Sequence, residues 1–193
     1  SPIYLKLHIK YMMSSRCKML VKDELKKLGL HFIFVDLGEV DIMEDLSAEQ
    51  LNELKTALLR SGLELMDDKK AVLLEKIKAA VIEMIYLDTD DIIKVNFSAY
   101  LSKKLQHDYT YLANLFSEVQ GSTIEQFVIA HKVERIKELM IYGKLNITEI
   151  AWKMNYSSVA HLSNQFKKAT GLSPLHFNQL RNKRDNPVEE SDT

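Results

Sequence analysis

The side chains best suited to chemistry in the first half of the chain are soft metal ligands near its start. Cys17 is the only cysteine, and further donors lie upstream of it, namely His8, Met12 and Met13. Thiolates and thioethers bind Cu(I) well, whereas the hydroxyl of Ser14 is a hard donor. One cysteine can form neither an internal disulfide nor a cysteine-rich zinc site. Cys17 is therefore a candidate metal ligand, and the favoured alternative is a small buried side chain at a helix start.

Patterns that would carry catalysis are missing from the sequence. It contains no G-x-S-x-G, no glycine-rich phosphate loop and no H-E-x-x-H, and its 6 glycines are spread singly. The adjacent acids Asp67-Asp68 and Asp90-Asp91 are typical of helix caps and breaks. We therefore expect no enzymatic activity.

Charge is segregated along the 193 residues, although the formal net charge is only −1. Residues 1–91 carry a net charge of −4, residues 92–184 carry +7, and residues 185–193 carry −4. A basic block inside a neutral protein is the electrostatic footprint of a phosphate-binding unit, although many basic faces only aid solubility. No apolar run approaches the roughly 18 residues of a spanning helix, and the start lacks the apolar segment of a signal peptide. We therefore expect a soluble, cytoplasmic protein.

The first 67 residues mix the periodicities of strands and helices. Strands are predicted at Ile3–Lys10, at His31–Leu37 and Glu39–Met43 around a turn at Gly38, and at Leu63–Met66. Helical stripes lie between them, the first ending at Gly29 and the second beginning after the N-cap Ser47. The order β-α-β-β-α-β predicts a ferredoxin-like α+β domain with two helices on one face of an antiparallel sheet.

From Phe97 onward almost every segment has helical periodicity, and the pattern helix, short turn, helix occurs twice. The turns fall at 106–107 and 155–156, and the second helix of each pair is expected to begin at Asp108 and at Ser157 or Ser158. Residues 123–142 between the two units predict one long helix. Twenty helical residues span roughly 30 Å, close to the spacing of about 34 Å between successive major-groove faces of a duplex. One chain could therefore place two recognition helices in adjacent major grooves.

Residues 92–184 resemble the arabinose-operon-regulator (AraC/XylS-type) transcription factors. The likeness is densest in Ile147–Ala151, Asn155–Ser158, Leu162–Lys168 and Thr170–Pro174. It implies an all-α domain of two helix-turn-helix units joined by a central helix. It also implies that the partners are double-stranded DNA and RNA polymerase, and it leaves activator and repressor roles open.

The resemblance also assigns residues that contact DNA. The base-contacting positions fall on Thr110, Ala113, Asn114, Ala160, His161, Ser163 and Asn164. Phosphates are expected to be neutralised by Lys167 and Lys168, and near the first unit by Lys103 and Lys104. The side chains expected in the core are Leu112, Phe116, Leu162 and Phe166.

The chemistry of these positions suits readout of base edges. Asn114 and Asn164 can pair with adenine through two hydrogen bonds, Thr110 can meet a thymine methyl group, and His161 can donate to guanine. The alternative for each is an ordinary solvent-facing side chain. The first recognition, or reading, helix has no Lys or Arg between Asp108 and Val119. This absence predicts a lower affinity for DNA at the first unit.

The N-terminal part has a likeness of its own. Its strand and helix order, with Met12-x-Ser14-x-x-Cys17 after the first strand, resembles heavy-metal-associated, copper-chaperone-like domains. The C-x-x-C loop of that family has Ser14 in place of its first cysteine here. The resemblance implies copper or another soft metal at Cys17, whereas the residues alone favour no cofactor.

These observations predict four segments and one function. The segments are a ferredoxin-like sensor or interaction domain at 1–67, a linking helix at 68–91, a DNA-binding domain at 92–184 and an acidic disordered tail at 185–193. We expect a sequence-specific transcription regulator whose first domain responds to a small-molecule effector or to a second copy of the chain, with no membrane partner. The rival hypothesis is a metal or small-molecule carrier without sequence-specific DNA binding.

Overall fold

The computed structural model describes residues 4–86 and 96–185. In the N-terminal part the elements are β1 (Leu5–Lys10), α1 (Ser15–Lys27), β2 (Phe32–Asp36), β3 (Glu39–Ile42), α2 (Ala48–Arg60), β4 (Glu64–Leu65) and α3 (Asp68–Tyr86). After residue 95 they are α4 (Phe97–Leu105), α5 (Tyr109–Gln120), α6 (Ile124–Tyr142), α7 (Ile147–Lys153), α8 (Val159–Thr170) and α9 (Pro174–Asp185).

The four described strands form one antiparallel sheet in the order β2-β3-β1-β4. The turn between β2 and β3 is a tight hairpin, because Asp36 pairs with Glu39 and only Leu37 and Gly38 lie between them. Gly38 has a φ of +83°, a backbone conformation that glycine adopts without strain. This architecture is compatible with the predicted β-α-β-β-α-β plan.

One face of this sheet forms the N-terminal core with α1 and α2. The buried side chains include Ile9, Val40 and Ile42 from the strands, and Val21, Leu25, Leu54 and Leu58 from the helices. The capping box predicted at Ser47 is present, since its hydroxyl accepts from the N–H of Gln50 while the Gln50 side chain accepts from the N–H of Ser47.

The opposite face of the sheet is more deeply buried than the alternation of apolar and polar residues in β1 predicts. His8 and Lys10 are only 3% and 6% exposed, although they lie on the polar side of β1. Glu75 of α3 contacts His8, and Glu118 of α5 contacts Lys10. Helices of the same chain therefore cover a face that the sequence pattern leaves to solvent.

The two predicted helix-turn-helix units are present as α4–α5 and α7–α8. Each turn contains one left-handed residue, Gln106 with a φ of 55° and Asn155 with a φ of 58°. The predicted long helix is continuous from Ile124 to Tyr142, so the fold after residue 95 is helical throughout the described range.

The described chain divides into two compact units, which cut across the predicted segments. The first contains residues 4–80 and 96–124, and the second contains residues 81–86 and 125–185. The helix pair α4–α5 thus groups with the N-terminal sheet rather than with α7–α8, because Lys10 and Tyr11 contact Glu118 at the end of α5. The predicted break at Asp88–Asp91 lies outside the described residues, as does the acidic tail after Asp185.

Candidate nucleic-acid interface

Helix α5 presents the predicted reading residues of the first unit on one side. Thr110, Ala113 and Asn114 are three and four positions apart and therefore share a helix face. Thr110 and Asn114 are exposed, and Ala113 is half-buried. The other side of α5 is buried through Leu112 and Phe116, which are both 0% exposed, as the sequence predicts.

Aromatic contacts surround the start of this helix. Tyr109 packs edge-on against Phe97 with ring centroids 6.4 Å apart, and Tyr111 stacks on His107 at 5.4 Å. Asp108 occupies the N-cap position, but its side chain accepts no capping hydrogen bond. Asp108 is exposed at the beginning of α5.

Helix α8 is the corresponding helix of the second unit, and Ser158 is its N-cap. The hydroxyl of Ser158 accepts from the N–H of His161 at 3.0 Å. Ala160 and Asn164 are exposed and Ser163 is half-buried, while Leu162 and Phe166 are both 0% exposed. The second unit therefore repeats the division of the first into an outward polar side and an inward apolar side.

His161 is exposed but is held by two neighbours. Its Nδ1 lies 3.2 Å from the hydroxyl of Ser157, and its ring packs edge-on against Tyr156 at 5.2 Å. When the Ser157 hydroxyl donates to Nδ1, the proton of a neutral imidazole is on Nε2, which is then a donor. This arrangement suits a contact with a base-edge acceptor such as guanine N7 or O6.

A buried polar cluster centred on Tyr156 lies beneath the turn of the second unit. The Tyr156 hydroxyl donates to Oε1 of Gln165, and the Lys132 ammonium lies 4.9 Å from the Tyr156 ring centroid. Burial raises the pKa of Tyr156 to about 12 and lowers the pKa of Lys132 below its usual value. Sequence reasoning missed the contact between Lys132 and Tyr156. The periodicity of α6 does not show which element packs against the side of the helix that carries the half-buried Lys132.

Exposed basic side chains lie in the last turns of α4 and α8. Lys167 and Lys168 are exposed in the last turn of α8, and Lys103 and Lys104 are exposed in the last turn of α4. The Lys104 ammonium contacts the hydroxyl of Tyr100 at 3.2 Å. These positions fit phosphate neutralisation, since exposed lysines can exchange water for phosphate at little cost.

Two of the candidate metal ligands, Met12 and Cys17, lie between the end of β1 and the first turn of α1. Cys17 is half-buried at the beginning of α1, with its sulfur 3.9 Å from the hydroxyl of Ser14. Burial raises the pKa of the Cys17 thiol, but hydrogen bonds with Met13 and Ser14 outweigh burial and hold the pKa below its usual value. Met12 is buried, and its sulfur accepts from the N–H of Gly38 at 3.4 Å. Within the described ranges, Cys17 belongs to no cluster of three His, Cys, Asp or Glu side chains.

A different cluster, which sequence reasoning missed, lies between the sheet and α3. The ligand atoms of His8, Glu39 and Glu75 are all within 4.8 Å of one another, and Nε2 of His8 is 3.2 Å from Glu75. The Lys78 ammonium bonds to Glu39 and lies 3.7 Å from Glu75, while Lys6 lies 3.7 Å from Glu39. Two lysines thus already neutralise these carboxylates, which favours an internal charge network over a metal centre.

Residues 101–180 match the family model of a helix-turn-helix domain, over a range that contains the second half of α4 and all of α5, α6, α7 and α8. This region has the architecture of a helix-turn-helix domain. The chain is 32% identical over 69 residues to the xylose operon regulatory protein of Escherichia coli K12, covering 36% of this chain and 18% of that protein. It is 21% identical over 81 residues to the uncharacterized HTH-type transcriptional regulator YtdP of Bacillus subtilis 168, covering 42% of this chain and 10% of that protein.

Two solved structures share the fold of a little more than half of this chain. The C-terminal domain of AraT, a response regulator from Geobacillus stearothermophilus, aligns with a TM-score of 0.50 and 20% identity over 56% of this chain and 85% of that one. An AraC-type transcriptional regulator from Chromobacterium violaceum aligns with a TM-score of 0.50 and 15% identity, over 63% and 99% of the two chains. The matched region contains α5 of the first helix-turn-helix unit and both helices of the second. Among residues 4–86 and 96–185, no helix is both long and apolar enough to cross a membrane.

Proposed function

We propose that this protein is a cytoplasmic transcription regulator that binds double-stranded DNA sequence-specifically, with α5 and α8 in two successive major-groove segments. The proposal rests on one repeated observation: both helices have a buried apolar side and an exposed polar side. Each has buried apolar residues on one side, while exposed Asn114 and Asn164 stand at equivalent places on the other. Helix α6, with 19 residues, is long enough to span most of one duplex turn.

Affinity and specificity come from different side chains in this proposal. Exposed lysines such as Lys167 release counterions from the phosphates and bind all sequences alike. Asn114 and Asn164 pair with adenine, Thr110 contacts a thymine methyl group, and His161 donates to guanine. The absence of Lys and Arg between Asp108 and Val119 makes the first segment the weaker of the two.

The N-terminal part modulates this binding. Its strand order β4-β1-β3-β2 and its helices on one face support a ferredoxin-like assignment for residues 1–67. Such a domain can bind a small molecule or a second copy of the chain without changing the reading residues. Modulation would be contradicted if the full chain and a fragment of residues 92–184 bound the same DNA identically under all conditions.

Selection of bound oligonucleotides from a random pool tests the proposal directly. We expect the full-length protein to enrich two conserved segments with centres about 10 base pairs apart, which is one helical turn. The second segment, read by α8, should be the better conserved. Enrichment of a single segment would contradict reading by two helices of one chain. If the bound oligonucleotides showed no enriched sequence at any salt concentration, sequence-specific binding would be contradicted altogether.

A further inference from the structure

The N-terminal sheet holds the first reading helix through the face that lies opposite its core. On this face β1 carries Lys6, His8 and Lys10, β3 carries Glu39 and β4 carries Glu64. Lys10 is 6% exposed, and its ammonium lies 3.3 Å from Glu118 of α5 and 4.0 Å from Glu64. Burial lowers the pKa of Lys10, but the hydrogen bond and charge of Glu118 outweigh it, so the pKa lies above its usual value. Lys10 is therefore charged at neutral pH and is paired across this contact.

The backbone makes a second contact at the same place. The N–H of Tyr11 donates to the carbonyl of Glu118 at 3.1 Å. Tyr11 has a φ of +70°, a left-handed conformation that is uncommon for a tyrosine. This conformation persists only where its surroundings stabilise it, and the hydrogen bond to α5 is one such contact.

The hairpin turn between β2 and β3 approaches α5 even more closely. A Cβ atom added to Gly38 would lie 2.4 Å from the carbonyl oxygen of Val119. The same glycine is fixed from the other side, because its carbonyl accepts from the N–H of Ile9 at 3.0 Å. Only a residue without a side chain fits between the turn and the end of α5.

We propose that Lys10 and Gly38 are positioning residues for the first reading helix, which they hold by its C-terminal end against the N-terminal sheet. The proposal rests on the DNA-binding function proposed above. The contact orients α5 without covering its reading face, since Thr110 and Asn114 stay exposed. A structural change in the N-terminal sheet is thereby transmitted to the first DNA segment, while the second segment is read by α8 of the other compact unit.

The experiment compares full-length variants on three DNAs: the selected site, the site with its first segment scrambled, and the site with its second segment scrambled. Lys10→Met keeps the aliphatic length of the side chain and removes its charge. Lys18→Met is the matched control, because Lys18 pairs with Asp36 at 3.0 Å within the N-terminal sheet domain. Glu118→Gln removes the same ion pair by changing its exposed partner and nearly keeps the shape of that side chain.

For Lys10→Met and Glu118→Gln we expect the penalty for scrambling the first segment to fall by about tenfold, because a loosened α5 no longer distinguishes that sequence. The penalty for scrambling the second segment should stay within about twofold of the unaltered protein, and Lys18→Met should match that protein on all three DNAs. A uniform loss of affinity would indicate a merely structural role, because it would leave the ratio between DNAs unchanged.

Amide hydrogen exchange of α5 gives a readout that does not depend on DNA. Lys10→Met and Gly38→Ala should accelerate exchange in the last turn of α5, whereas Lys18→Met should not. If the unaltered protein shows both segment penalties and the Lys10→Met and Glu118→Gln variants retain them, the positioning inference is overturned while the proposed function stands. If the unaltered protein shows neither penalty, the proposed function fails and the inference falls with it.

Discussion

The hydroxyl of Tyr156 donates a hydrogen bond to Oε1 of Gln165, which connects the turn of the second helix-turn-helix unit to the middle of α8. Tyr156 is 9% exposed, and the Lys132 ammonium lies over its ring. The edge of the same ring packs against His161. A buried neutral phenol is thus part of what holds a proposed base reader in place.

This burial predicts a loss of stability at alkaline pH. The pKa of Tyr156 is about 12 in the folded protein and about 10 in an unfolded chain. Because the folded state holds the proton more tightly, the contribution is fully present below pH 10 and is lost as the pH rises to 12, by at most about 1.4 kcal/mol per pH unit. Urea unfolding of the wild type and of Tyr156→Phe at several pH values measures this difference.

The comparison needs a tyrosine that is not buried. Tyr142 is 84% exposed at the end of α6, so Tyr142→Phe serves as the control. We expect the free energy of unfolding of Tyr156→Phe to fall less steeply between pH 10 and 12 than that of the wild type and of Tyr142→Phe. Parallel curves for all three proteins would contradict the raised pKa.

The sequence predicts the turn of each helix-turn-helix unit because local chemistry determines it. Asn155 adopts the left-handed backbone that asparagine tolerates well, and Gln106 does the same in the first unit. Sequence does not predict the cluster around Tyr156, since the partner Lys132 lies 24 positions away on another helix. Periodicity shows which residues share a face, but not which element covers that face.

The N-caps of α5 and α8 give a further prediction. Asp and Ser are both favoured N-cap residues, but the structure shows a capping hydrogen bond at only one of the two positions. Ser158 accepts a hydrogen bond from the N–H of His161, whereas Asp108 accepts none from its helix. Ser158→Ala should therefore lower the free energy of unfolding by about 1 kcal/mol. Asp108→Ala should cost less, which urea unfolding at neutral pH can measure. An equal cost for the two substitutions would show that Asp108 caps α5 in solution.

The N-terminal sheet shows a second limit of sequence reasoning. The alternation in β1 correctly places Ile9 in the core and Lys10 on the opposite face. A charged strand face is typical of solvent exposure, yet Lys10 is buried because Glu118, more than a hundred positions later, supplies its counter-charge. A separation of 81 positions likewise conceals the contact between Gly38 and Val119. Long-range pairing of this kind leaves no local signal.

Removal of a phosphate-neutralising lysine should weaken binding to all DNA sequences by the same factor. Lys167 is exposed in the last turn of α8, so Lys167→Ala is expected to lower affinity for the selected site and for random DNA by the same factor. The slope of log K against log salt should become shallower by about 0.9. Lys55→Ala, at an exposed position of α2, is the control and should leave the slope unchanged. Fluorescence anisotropy between low and moderate salt measures both quantities.

Asn164 should behave in the opposite way, because its amide can pair with one base and contributes no charge. It is exposed on the outward side of α8, one turn after Ala160. Asn164→Ala is expected to cost about 1–3 kcal/mol on the selected site and to relax the preference at one base pair. Affinity for random DNA and the salt slope should stay as in the wild type, and so should all three quantities in the control Asn52→Ala on α2. Since a backbone contact would be lost on every sequence, an equal loss on selected and random DNA would remove Asn164 from the residues that read bases.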